Sequence, residues 1–168
     1  MKMIQELESQ AKVLLESESS SSGKGEEWMA LAAKWKQVQR LEKEQFALNQ
    51  AFLSFENSKE KRFYSHAAKA LVLLGHSHRS MGHNRLARQA YQSSIQHAKE
   101  MGKANNESIA KGYFHLGSLA EQTWNMKIAI SNYQKARQCF EVLQDEEARS
   151  QIDQKLRSCQ VKQNTFKK

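Results

Sequence analysis

Apolar side chains recur along most of this chain every third or fourth residue, the spacing of one helix face. Tyr64, Ala67, Leu71, Leu74, Gly75 and His78 form one such stripe, and Ala87, Tyr91, Ser94 and Ala98 form the next. Ile109, Tyr113, Leu116, Gly117 and Ala120 make a third, followed by Ala129, Tyr133, Ala136, Phe140 and Leu143. These stripes predict two helix pairs, over residues 59–102 and 105–144, and the glycine and asparagines of Gly102 to Asn106 suit a helix stop and restart between them. Upstream, Trp28, Leu31, Ala32, Trp35 and Val38, then Leu41, Leu48, Phe52 and Phe55, predict a helical hairpin over 26–57, a degenerate member of the series. Met3, Ile4, Leu7, Ala11, Leu14 and Leu15 predict an amphipathic helix over 1–16, joined by a Ser/Gly-rich linker, 17–25, that is expected to be flexible. So short a helix is marginal alone, and it is expected to pack on the next pair, the alternative being a detachable arm that finds a partner. Ala148, Ile152, Leu156 and Cys159 predict a capping helix over 145–161, with a basic tail at 162–168.

The two regular pairs are copies of each other. A shift of 42 residues superimposes Ala68 on Ala110, Lys69 on Lys111, Leu74 on Leu116, Gly75 on Gly117, Ala87 on Ala129, Tyr91 on Tyr133 and Gln92 on Gln134, seven identities in 25 positions. Chance gives roughly one or two, so the period is real. Small residues recur where helices must approach, and one large aromatic recurs where a gap must be filled.

These positions resemble the tetratricopeptide repeat (TPR). In that family Leu-Gly stands midway along the first helix of a pair, and Ala, an aromatic and Ala stand along the second. The first pair supplies Leu74, Gly75, Gly82 near the turn, Ala87 and Tyr91; the second supplies Leu116, Gly117, Ala120, Ala129, Tyr133 and Ala136. Ser94 replaces one alanine, Trp124 replaces the turn glycine of the second pair, and the terminal proline is missing. The long period is similar to the extended repeats of kinesin light chain and Pins. The resemblance covers about residues 64–144 and implies an all-α, right-handed solenoid of antiparallel helix pairs. It bears on fold and says little of function.

Composition agrees. The 168 residues contain no proline, which favours long helices joined by short polar turns. The longest apolar run, Trp28 to Ala33, is far below the roughly 20 residues of a membrane-spanning helix. The first residues, with Lys2, Glu6 and Glu8, do not read as a signal peptide. Two cysteines, Cys139 and Cys159, without a CxxC pair, suit a reducing compartment, so the expected location is the cytosol.

The formal charge of +8 is concentrated. Residues 56–115 carry ten basic against four acidic side chains and residues 155–168 carry five against none, whereas both remaining segments are slightly acidic. Such a distribution attracts an anionic partner: an acidic peptide, nucleic acid or an anionic membrane. No phosphate-binding loop, dinucleotide fingerprint or zinc-protease motif is present, so no enzymatic activity and no cofactor are expected. His76, His78 and His83 are the nearest approach to a metal site, but His76 and His78 point about 200° apart on a helix and cannot share an ion. Trp28, Trp35 and Trp124 read as packing residues.

In the TPR family the first helices of successive pairs line a concave groove. Carried over residue by residue, that resemblance selects Lys69, Val72, His76 and Arg79 from the first pair and Lys111, Phe114, Ser118 and Glu121 from the second. Cations beside Val72 and Phe114 suit an acidic peptide or partner helix with one apolar anchor. The two-carboxylate clamp of some co-chaperones is disfavoured, because Val72, His76 and His115 occupy its positions. The expected function is a protein-interaction adaptor or small complex subunit. The alternative is binding of RNA or an anionic membrane through residues 56–115 and the C-terminal tail.

Overall fold

A computed structural model describes residues 2–17, 21–58, 63–100 and 106–165, which hold eight helices and no strand. They are α1 (Lys2–Glu16), α2 (Ser21–Gln37), α3 (Leu41–Asn57), α4 (Tyr64–Ser80), α5 (Asn84–Glu100), α6 (Asn106–Gln122), α7 (Met126–Val142) and α8 (Glu146–Thr165). Neighbouring helices pack in succession, an all-α repeat arrangement of antiparallel pairs preceded by one helix and followed by another. Each of α2 to α7 has 17 residues, about 25 Å of helix. The hairpins begin at Ser21, Tyr64 and Asn106, so the irregular amino-terminal pair has the dimensions of the two regular ones.

The turns explain this uniformity. Residues 38–40, 81–83 and 123–125 close the three hairpins, and 143–145 joins α7 to α8. Each holds one residue in the left-handed region: Gln39 (φ 56°), Gly82 (φ 75°), Trp124 (φ 58°) and Gln144 (φ 56°). Each makes the same pair of backbone hydrogen bonds. The Arg40 N–H donates to the Trp35 carbonyl at 3.0 Å and the Gln39 N–H to Lys36 at 3.0 Å; His83 to His78, Asn125 to Ala120 and Asp145 to Phe140 repeat the longer link. This double closure satisfies the orphan carbonyls of the ending helix and fixes the next helix antiparallel.

The chain divides into two compact units, Met1–Ala90 and Tyr91–Lys168. In the first, Leu7 and Leu14 of α1, Trp28, Leu31, Ala32 and Trp35 of α2, Ala47, Leu48, Ala51 and Phe55 of α3, and Ala67, Ala70 and Leu74 of α4 form one core. Burying each large side chain is worth about 1.5–3 kcal/mol. α1 packs on α2, as its apolar face predicts. The flexible linker is corrected: α2 begins at Ser21, inside the stretch read as linker, and residues 18–20 lie outside the described residues. Gly25 is a packing residue, since a Cβ there would come within 2.6 Å of the Phe55 ring.

The α3 stripe is also corrected. Its buried face is Glu44, Ala47, Leu48, Ala51 and Phe55, while Leu41 and Phe52 lie at its margin. Glu44, 3% exposed, takes the repeat position of Ala87 and Ala129, and accepts a hydrogen bond from Ser77 Oγ at 2.9 Å. A buried carboxylate is tolerable only with such a donor.

In the second unit, Ala110, Ala120, Met126, Ala129, Tyr133, Ala136, Phe140, Ile152 and Cys159 make the core. Tyr133 fills the gap over Gly117, where a Cβ would stand 2.7 Å from the ring. Leu143, expected in the α7 stripe, falls in the turn after α7 and is 40% exposed. Trp28 and Trp35 are core residues at 2% exposure, but Trp124 is 64% exposed, correcting its reading as a packing residue. The capping helix runs further than expected, through Thr165, taking in the start of the basic tail; 166–168 lie outside the described residues, as do 101–105 of the predicted stop and restart.

Candidate partner-binding surfaces

The eight candidate groove residues divide between the units. On α4, Lys69 is exposed, and Val72, His76 and Arg79 are half-buried. Burial lowers the His76 pKa below its ordinary 6.5, and the positive charges of Lys36 on α2 and Arg79 push it further down. Lys36 and Arg79 are thus near enough to His76 for their charges to disfavour its protonated form. Lys36 escaped the sequence reading because its hairpin is the degenerate one. Yet it occupies the repeat position of Arg79, 43 residues on.

His78 is half-buried, with Nδ1 3.1 Å from Gln45 Nε2, and burial followed by the charge of His83 lowers its pKa. Among the described residues no group of three His, Cys, Asp or Glu side chains is placed to hold a metal ion.

On α6 the four candidates separate into two environments. Lys111 and Phe114 line a cleft of about 360 Å³, with Glu107 and His115 of the same helix, Phe140 of α7, Asp145 at the start of α8, and Ala148, Gln151 and Ile152 of α8. In its wall Phe114 packs against His115 (5.6 Å, edge-on), and Phe114 also contacts Tyr133 of the core (5.7 Å). Lys111 is paired with Glu107 one turn before it, and Asp145 shares the lining, so the cleft is of mixed charge and not cationic. The sequence reading missed the α8 wall because it treated that helix as a cap.

Glu121 is not open to a ligand. Its side chain is 12% exposed, accepts hydrogen bonds at Oε2 from Tyr133 (2.9 Å) and Lys155 (3.3 Å), and at Oε1 from Lys162 (2.8 Å). Burial by itself raises its pKa, but the three donors outweigh it and the carboxyl titrates below its ordinary 4.5. The same carboxylate, after burial, raises the Tyr133 pKa. Ser118, half-buried on the same helix, lies between this network and the cleft in sequence. Two of the five basic residues assigned to the C-terminal segment, Lys155 and Lys162, are therefore engaged in holding α8 to α6.

Burial raises the thiol pKa values of Cys139 and Cys159, so neither is an activated nucleophile. No helix among the described residues is long and apolar enough to cross a membrane. No family model matches the chain, and no curated protein matches its sequence.

Proposed function

We propose that this chain is a TPR-like interaction module, an adaptor or small subunit of a larger assembly, with no catalytic role of its own. The observation that carries the reading is the cleft between α6 and α8: two residues at groove positions of the repeat, Lys111 and Phe114, line it together with the apolar Phe140 and Ile152. Its size suits one large apolar side chain of a partner segment, with polar groups around it to orient the main chain. A segment with acidic side chains suits the other surface, where the charges of Lys36 and Arg79 act on His76 and Lys69 is exposed on the same helix. Two free cysteines, Cys159 buried and Cys139 half-buried, fit work in a reducing compartment such as the cytosol.

The test is affinity purification of the full chain from native cells with mass spectrometry, followed by affinity measurement with each recovered partner. Phe114→Ala is expected to weaken a cleft-bound partner about tenfold or more, and Lys69→Glu combined with Arg79→Glu to weaken an acidic one. Partners that bind both variants at wild-type affinity would show that neither surface is the site.

A further inference from the structure

Of the four turn residues with positive φ, three are glutamine or glycine and the fourth is Trp124. Large side chains seldom adopt this conformation, and of the four only Gly82 takes it without strain. The indole is 64% exposed, so burial of the ring does not offset the strain. Ile128, one helical turn on, is 46% exposed, and Lys127 between them is exposed. Trp124 and Lys127 border an open depression of about 530 Å³ whose far side is Gln163 of α8.

Charge and size select the occupant. From Thr123 to Ile128 the chain has one lysine and no acid, and on α8 Lys155 and Lys162 together face the single charge of Glu121, while Arg157 is exposed. α8 meets the turn at Gln163, leaving a net positive charge beside it. Two exposed apolar side chains fall far short of the roughly 800 Å² per partner that a stable protein interface buries. A lipid surface needs only a few such points, because a tryptophan at the headgroup level and lysines beside anionic lipid act together.

We propose that the Trp124 turn is an insertion point for an anionic phospholipid surface. Trp124 and Ile128 enter the interfacial layer and Lys127 pairs with a headgroup phosphate. This goes beyond the cleft reading and does not depend on it.

The full chain is mixed with phosphatidylcholine vesicles, with and without about a third phosphatidylserine, and binding is read by sedimentation and tryptophan emission. Trp28 and Trp35 are 2% exposed and are expected to emit as buried indoles before and after binding, so a change on binding reports on Trp124. Expected are sedimentation with the anionic vesicles only, a blue shift quenched by brominated lipid, and weakening with salt. Trp124→Gly, which places at this turn the residue found at Gly82, keeps its melting temperature and loses binding several-fold; Lys127→Glu loses it as well. Equal affinity for neutral vesicles, binding without an emission shift, or undiminished binding by Trp124→Gly would overturn the proposal. So would the absence of binding to either vesicle.

Discussion

One repeat position is filled by Lys36, Arg79 and Glu121 in the three hairpins, and the two units use it in opposite ways. In the first unit the charges of Lys36 and Arg79 act on His76. In the second the sign is reversed: Glu121 draws in Lys155 and Lys162, and the position becomes the attachment of α8. A second position shows the converse. Ala87 and Ala129 are plain packing residues, while Glu44 carries a buried carboxylate satisfied by Ser77. Helix length and turn geometry are common to all the hairpins, and what distinguishes the two units is where each places its hydrogen-bonded carboxylate, Glu44 or Glu121. The first ties α3 to α4, the second α6 to α8.

The largest break in this comparison comes from the cores. Trp35→Ala removes the indole from the first unit and is expected to cost about 3–5 kcal/mol. Hydrogen exchange should show protection lost across α1 to α4 and largely kept in α6 to α8; uniform loss would mean that the units unfold as one. The carboxylate ties come next. Ser77→Ala leaves Glu44 buried without its hydroxyl donor and should cost about 1–3 kcal/mol. Glu121→Gln keeps an acceptor for Tyr133 but loses both ion pairs, and because the lysines are partly exposed the expected cost is only about 1 kcal/mol. Urea titration of both variants would rank them, and the reverse order would assign the stronger tie to α8.

Acid gives the smallest and most selective effect. The His76 and His78 pKa values are lowered in the fold, so the unfolded chain takes up protons first and the first unit loses stability as pH falls below about 6.5. Glu121 is also lowered, from 4.5, so its contribution is intact at pH 5 and disappears only as pH falls through the folded value. Exchange protection followed between pH 7 and pH 4, about three units, should therefore decline in the first unit before the second. A simultaneous decline would contradict the assignment.

Much of the fold was written in residue spacing. Leu74–Gly75 and Leu116–Gly117, with Tyr91 and Tyr133, mark helix faces that a single sequence displays because burial selects residue size at a fixed period. Less visible were features that depend on a distant partner. Gly25 resembles a linker residue until Phe55 is seen above it, and Glu44 resembles a solvent-exposed glutamate until Ser77 is placed. The candidate groove was legible as positions but not as charges. Nothing near Lys111 in sequence shows that Asp145 will share its cleft, or that Glu121 will be taken up by lysines 34 and 41 residues away.

The three-residue turns also bear on how quickly this chain finds its structure. Every hairpin joins helices that follow each other directly, so most contacts form between segments near in sequence, the topology associated with folding in microseconds to milliseconds. With no proline in 168 residues, the tens-of-seconds phase that imide isomerisation imposes on many proteins has no source here. Newly made chain therefore spends little time with its apolar stripes uncovered, and each hairpin can close as soon as its second helix has been synthesised.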